Sequence, residues 1–407
     1  MKKSFIITFL VLFYNASLLA QDSLAIRVDS ISEYQQNVQS PKYKTFFNLG
    51  LWNTISTNGY KTKYYTNNIS LNLVYGRSEN VSGFTFSGLY NQITKAKGVV
   101  ISPFSNIENI SGVQIGGVQM GDCVNGVQIG GIHVARDIKG IQIGGLNNVI
   151  WNMQGMQIGI INLAYKNIRG AQIGFFNNSE KIKGVQIAMG NEADTLVGVQ
   201  IGGFNYAKIM KGLQIGIINI SDNNKYPIGL VNIVKSGGDM NLALTFDDMQ
   251  NMVVSFRSGG QSLYGIVGFG YNIYSPHTHF VLEGGLGAHI QLSDKFRIDT
   301  EIIAGILTKI RSSIRVGEQS KEEEEREKEI LRNYDHKTLY RFVYRVLPAY
   351  NINSNINIFA GPTFNFLQTS KIDNLKLFSS HSLWKDYSPN SFKQLYIGWM
   401  IGVGYRF

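Results

Sequence analysis

The residues that could do chemistry are few and scattered. The histidines are His133, His277, His279, His289, His336 and His381, and Cys123 is the one cysteine. His277 and His279 form a His-x-His after Pro276, a spacing that can offer two imidazoles to a metal ion. No companion cluster of Cys, His, Asp or Glu accompanies it. There is no nucleophile elbow, no phosphate-binding loop and no paired histidines around a glutamate. Serines and histidines are too dispersed to assemble the Ser-His-acid set used by membrane-barrel enzymes. A single cysteine excludes an internal disulfide and a multi-cysteine metal site. Cys123 falls between repeats and reads as an incidental side chain rather than a thiol nucleophile. The expectation is a protein that is not an enzyme, with no catalytic, cofactor-binding or metal residues and no cofactor.

The charged residues with regular spacing lie towards the C-terminus, on alternating segments. Glu283, His289 and Gln291 alternate with Phe280, Leu282, Leu286 and Ile290. Arg297, Asp299 and Glu301 alternate with Phe296, Ile298, Ile302 and Ile306, and Arg341 and Arg345 with Tyr340, Phe342, Tyr344 and Val346. Asn357, Thr363 and Asn365 alternate with Ile356, Ile358, Phe364 and Phe366. Period-two patterning of this kind marks strands with one apolar and one polar face. Glu283, Asp299 and Glu301 could pair with Arg297, Arg341 and Arg345 and fill a narrow lumen, because unpaired charges there would be costly. A proton- or ligand-gated passage is the alternative use of the same residues.

The last strand is the clearest. Leu395, Ile397, Trp399, Ile401, Val403, Tyr405 and Phe407 form an unbroken apolar face opposite Tyr396, Gly398, Met400, Gly402, Gly404 and Arg406. That is the pattern of a membrane-barrel strand. Its terminal aromatic residue resembles the insertion signal of Gram-negative outer-membrane barrels. Residues 238–407 are therefore expected to form an antiparallel transmembrane β-barrel, with a charged loop at 309–337 and a second polar loop from Phe378 to Lys393.

Residues 83–234 carry a different pattern, glycine-aliphatic-glutamine-aliphatic-glycine. Clean copies begin at Gly112, Gly126, Gly140, Gly155, Gly170, Gly184, Gly198 and Gly212, so the period is 14 or 15 residues. Asparagine recurs seven residues after the glycine at Asn147, Asn162, Asn177, Asn191, Asn205 and Asn219. A small residue follows two later, as at Ala164 and Ala193, and an aliphatic residue precedes each glycine by two, as at Ile138 and Ile168. The period is too short for helical repeats, and branched aliphatics favour strand. One reading is a β-solenoid in which Gln stacks on Gln and Asn on Asn as amide ladders. The alternative is one continuous antiparallel meander, but its alternate strands would not align identical residues.

The composition is 44% hydrophobic and 16% charged, with 44 glycines, 21 tyrosines and 23 phenylalanines, which points to an all-β chain. The formal charge of +10 is spread out, with no basic stripe interleaved with aromatics, so nucleic acid is not an expected partner. Lys2 and Lys3, the apolar run from Phe5 to Tyr14 and the small residues before Gln21 read as a signal peptide over 1–20. Residues 21–42 read as a linker. Residues 43–77 read as a β-hairpin around Asn58-Gly59, with membership of the barrel left open.

The phrases Gly-Val-Gln-Ile-Gly-Gly and Gln-Ile-Gly-Ile-Ile-Asn, with Pro227-Ile228-Gly229-Leu230-Val231-Asn232, resemble the surface-repeat proteins of spirochaetes and Bacteroidetes-type bacteria. The resemblance covers roughly Leu71 to Val234. It implies an envelope or cell-surface location and no particular activity. The period is also similar to that of the β-roll heads of trimeric autotransporter adhesins, which implies a solenoid. The expected function is that of a non-enzymatic outer-membrane surface protein whose repeats serve as a structural, display or adhesion surface. Its expected partners are outer-membrane lipid and a cell-surface glycan or protein ligand. A channel or transporter for a small solute is the alternative, and an envelope enzyme acting on lipid or glycan is a third reading.

Overall fold

The computed structural model describes residues 43–273, 279–309, 338–369, 381–388 and 391–407. The expected signal peptide and linker, His277, His336 and all of the charged loop after Lys309 lie outside them. No helix among the described residues is long and apolar enough to cross a membrane. The chain divides into two compact units, one ending at Ile115 and one running from Gly116 to Phe407.

The first unit contains β1 (Tyr43–Trp52), β2 (Ile55–Ser56), β3 (Tyr65–Asn72), β4 (Tyr75–Ser87), β5 (Tyr90–Ile101) and the start of β6 (Phe104–Asn223). Here the hairpin expected at 43–77 is corrected. β1 pairs with β3 in parallel, Tyr43 opposite Tyr65 and Leu49 opposite Leu71. Only the two-residue β2 folds back antiparallel on β1. Asn58 and Gly59 lead into a short 3-10 helix, Gly59–Tyr64, rather than a hairpin turn. Parallel pairing then continues in register, with Gly83 opposite Gly98 and Gly98 opposite Gly112. These strands are therefore coils of a β-solenoid.

The second unit opens with further coils, through β6 and β7 (Tyr226–Val234). In β6 and β7, Gly216 lies opposite Gly229 and Asn219 opposite Asn232. The meander is thereby excluded. The leading glycines must approach each other closely. Gly155 has φ +143°, and a Cβ built on it would lie 1.8 Å from the carbonyl oxygen of Gly140. No L side chain fits that backbone or that space.

Four columns of side chains point inward. They are the glutamines, the asparagines, the small residues (Ala135, Ala164, Ala193, Ala207) and the aliphatics (Ile138, Ile168, Ile182, Leu196), all buried. The glutamine ladder is continuous. Each Nε2 donates to the Oε1 one coil earlier, at 2.8–2.9 Å, from Gln142 onto Gln128 through to Gln214 onto Gln200. The asparagine ladder runs the opposite way. Each Nδ2 donates to the Oδ1 one coil later, at 2.8–2.9 Å, from Asn147 onto Asn162 through to Asn219 onto Asn232. The second amide proton goes to a backbone carbonyl, as from Asn162 to Ile173 at 2.9 Å and from Gln200 to Tyr206 at 3.1 Å. A buried primary amide has two donors to satisfy, and a repeating coil supplies both acceptors.

His133 stands at the asparagine position of its coil. Its Nδ1 lies 2.6 Å from Asn147 Oδ1, continuing the ladder, while its buried Nε2 has no hydrogen-bond partner.

From β8 (Asp239–Asp247) onward the chain forms β9 (Asn251–Gly259), β10 (Leu263–Asn272), β11 (His279–Gln291), β12 (Phe296–Lys309), β13 (Leu339–Asn351), β14 (Ile356–Thr369), β15 (Trp384–Ser388) and β16 (Ser391–Arg406). β8 to β14 pair in sequence order, all antiparallel, and β16 joins β14 to β8. The result is a closed eight-strand antiparallel barrel. β15 lies outside the ring and pairs with β16 near Ser391–Leu395. The polar loop expected from Phe378 to Lys393 is therefore partly strand.

Gln186→Ala removes the acceptor of Gln200 and the donor to Gln172. One buried donor of Gln200 and the buried acceptor of Gln172 then lose their partner, and the solenoid should lose about 2–4 kcal/mol. Asp194→Ala, on an exposed side chain, should change stability by less than about 0.5 kcal/mol. Hydrogen exchange of amides 170–205 in a urea series measures both.

Burial holds the His133 imidazole below its ordinary range, and its bond to Asn147 offsets this in part. The unfolded chain therefore binds the proton first as pH falls. The stability His133 contributes is present above about pH 6.5 and is lost as pH drops through the depressed value. His133→Asn restores an amide at this rung and should remove that part of the pH dependence. Thermal melts of both proteins at pH 7.5 and just below pH 6 read the difference.

Candidate functional site

The barrel lumen gathers the charged side chains. Register explains why. On β11, β12 and β13 the inward rows place Glu283 beside Gly305 and Arg341, and Gly287 beside Glu301 and Arg345. Arg345 is fully buried and bridges two acids, with Nη2 2.7 Å from Glu283 and Nη1 3.2 Å from Glu301. Glu301 also lies 3.2 Å from Arg257 and accepts a hydrogen bond from the Tyr264 hydroxyl at 2.9 Å. Arg257 lies 4.4 Å from the centre of the Phe359 ring. Nearer the rim, Arg297 pairs with Asp299 at 3.0 Å and Asp239 at 3.4 Å, and Arg406 with Asp239 at 2.9 Å.

Of the six residues expected to pair, Glu283, Glu301 and Arg345 form one group and Asp299 and Arg297 another. Arg341 pairs instead with Asp247 and donates to Asn365 at 3.2 Å. Asp239, Asp247, Arg257, Tyr264 and Arg406 join the network without having been expected. The first four sit near strand ends or where the alternation is short, so their direction could not be read from their neighbours; Arg406 was placed on the polar face of the last strand, without a partner assigned to it.

His289 has a second-row place. Its Nδ1 is 2.7 Å from Asp299 and its ring stacks on Tyr264, with centroids 4.2 Å apart. A His-Asp pair can serve a nucleophile, but His289 Nε2 faces Asp239 at 3.7 Å rather than a hydroxyl. Among the described residues no three His, Cys, Asp or Glu side chains converge to hold a metal ion. Cys123 lies within β6, half-buried, with Arg136 Nη2 3.5 Å from its sulfur.

Apolar layers separate the ionic ones. Val253, Val281, Leu307, Leu339, Leu367 and Tyr396 cluster with Met249 at one end, and Ala243, Leu347, Ala349, Phe359 and Met400 form a second layer. All eight strands of the ring send buried side chains inward. A cavity of about 10 Å³, lined by Asp239, Asn241, Arg257, Tyr264, His289 and Arg297, has room for about one water. The lumen is thus a packed core.

The outer wall is the reverse. Leu244, Val254, Phe269, Leu282, Ile302, Phe342, Ile358, Trp399 and Ile401 are exposed. Apolar outside and polar inside is the face assignment of a barrel dissolved in lipid.

The last repeat coil docks on this barrel. The backbone N–H of Asn232 donates to Ser258 Oγ at 3.0 Å, and its Nδ2 donates to the Ser258 carbonyl at 3.2 Å. The asparagine ladder thus ends on β9. Leu230 lies against outward-facing glycines: a Cβ on Gly265 would meet its carbonyl oxygen at 2.3 Å, and one on Gly284 would touch its side chain at 3.4 Å.

No protein-family model and no curated protein matches the chain. Among the solved structures that show a likeness are three that each cover 42% of this chain. One is a de novo designed transmembrane β-barrel, at 10% identity over 94% of that chain with a TM-score of 0.21. The second is the outer membrane protein Ail of Yersinia pestis in a phospholipid bilayer nanodisc, at 14% identity over 99% of that chain with a TM-score of 0.23. The third is the N-terminal β-barrel domain of OprF from Pseudomonas aeruginosa, at 10% identity over 96% of that chain with a TM-score of 0.20.

Arg345→Met leaves Glu283 and Glu301 facing each other without their shared cation. The barrel should lose about 3–5 kcal/mol. Arg345→Met with Glu283→Gln, which leaves Glu301 paired with Arg257, should recover most of it. The temperature at which the folded band converts to the unfolded band on a gel reports both.

Proposed function

We propose that this chain is a non-enzymatic outer-membrane protein in which the barrel is a sealed anchor and the repeats are a rigid structural body. The observation that carries this reading is the packed lumen beneath an apolar outer wall. Arg345, Tyr264, Phe359 and Leu347 occupy the space a solute would need, which weighs against the channel reading. A stiff stack of coils suits a structural body, and the likeness of its phrases to surface-repeat proteins agrees with an envelope role.

The connections support one orientation. One rim is closed by short turns at 260–262, 292–295 and 352–355. At the opposite rim the strand ends are far apart in sequence, Lys309 from Leu339 and Thr369 from Ser391. Outer-membrane barrels keep short turns on the periplasmic side and long loops outside. The repeats join β8 and dock through Ser258 at the short-turn rim. That favours a periplasmic scaffold over an adhesive surface facing another cell.

In planar bilayers the purified protein should give no steady conductance, and unboiled and boiled samples should migrate differently on a gel. Stepwise steady currents would favour the channel instead. With Cys123→Ser and Lys181→Cys, a membrane-impermeant maleimide should label the repeats only after the envelope is permeabilised. Labelling of intact cells would place the repeats outside.

A further inference from the structure

The repeats are two-sided. In every clean copy the eight residues from glycine to the asparagine position carry no Asp, Glu, Lys or Arg: 112–119, 126–133, 140–147, 155–162, 170–177, 184–191, 198–205 and 212–219. All charges between Gly116 and Val234 fall outside these octets, as at Arg136, Lys166, Glu192 and Lys208. With Gln and Asn turned inward, their aliphatic and aromatic neighbours are left on the exterior. Ile160 is 63% exposed, Phe175 55%, Phe204 53% and Ile217 53%. Ile160, Phe175, Met189 and Ile217 share one column, with Gly203 between the last two and Phe204 beside it; with the exposed Ile129, Ile143, Ile187 and Ile201 they form an apolar face larger than isolated exposed side chains would make.

We propose that this face rests on the acyl-chain surface of the bilayer that holds the barrel, an inference that depends on the membrane reading of the barrel above. Two observations select lipid as the occupant. The first is continuity. Leu230 stands in the same column as Ile217, since Ile215 pairs with Ile228 and Gly216 with Gly229. Leu230 is seated on the outer barrel wall at Gly265 and Gly284, and the next outward residues on those strands are Val267 and Leu282, both lipid-facing. The apolar column therefore runs into the barrel's own lipid-contacting band. The second is charge. The position just before the leading glycine is basic and exposed at Lys139, Arg169, Lys183 and Lys211. A cationic row along the edge of an apolar face suits lipid phosphates, with the long side chains reaching from the acyl region to the headgroups.

The test uses the full chain in liposomes of phosphatidylethanolamine and phosphatidylglycerol, with Cys123→Ser and one nitroxide-labelled cysteine at a time. The labels go on Ile201→Cys and Ile217→Cys on the apolar face, Lys208→Cys on the charged side, and Phe342→Cys on the barrel wall. Each replaced side chain is exposed, so both ladders stay intact; Met189→Cys serves if either face variant fails to fold. At positions 201 and 217 the ratio of relaxation by oxygen to relaxation by a nickel chelate should match that at 342. It should exceed that at 208 several-fold. Lipid-type relaxation at 342 with water-type relaxation at 201 and 217 overturns the inference and leaves the barrel standing. Shielding of 201 and 217 from both reagents also overturns it, and shows that a second copy or another protein covers the face. Water-type relaxation at 342 removes the barrel reading and this inference with it.

Discussion

The structure depends on one constraint: a primary amide buried in a strand must find acceptors for both its protons. A coil one repeat away presents an identical amide at hydrogen-bonding distance, so each rung satisfies its neighbour. The ladder works only in register, which is why insertion of a single residue is accommodated between octets, at the 15-residue steps, and not inside them. The two ladders point in opposite directions along the stack, Gln donors towards the earlier coil and Asn donors towards the later one. Their amide dipoles therefore oppose each other, and neither end of the stack accumulates the partial charge that a single ladder would build.

The same inversion organises the barrel. There, too, polar groups face inward and apolar ones outward, and the interior is held by ion pairs and hydrogen bonds between layers of apolar packing. Arg345 plays the part that Gln186 plays in a coil: a buried polar side chain whose removal strands the groups on either side. The difference is in tolerance. An amide rung meets copies of itself, whereas the ionic groups must be matched acid to base across strands far apart in sequence, as Arg345 is to Glu283 and Glu301.

Much of this was legible in the sequence because period and alternation are local. The repeat gave the coil its length, and the identical spacing of Gln172, Gln186 and Gln200 favoured stacking over a meander, which the parallel pairing then excluded. The apolar face from Leu395 to Phe407 was readable for the same reason. What was not legible involved partners set by register. Arg341 was expected among Glu283, Asp299 and Glu301, yet it pairs with Asp247 on β8, a strand that is not its neighbour in the ring. Asn58-Gly59 carried a hairpin signature, but parallel pairing of Tyr43–Trp52 with Tyr65–Asn72 prevails, because it extends an aligned stack rather than creating a new edge. The sequence also showed aliphatics flanking each glutamine without showing which of the two would be buried; the ladder decides it.

The junction between coil and barrel follows from these rules. A ladder must end, and its last donor needs an acceptor that is not another asparagine. Asn232 finds it in the backbone of Ser258, on a strand whose outer face is otherwise apolar. For the coil to come that close, the wall beneath Leu230 must be stripped of side chains, and Gly265 and Gly284 supply the space. Those glycines forfeit lipid-facing area that a valine or leucine would have covered, and Leu230 covers it in their place. A larger residue at Gly265 would therefore act on the asparagine ladder, by pushing its terminal acceptor out of reach, before it acted on the barrel.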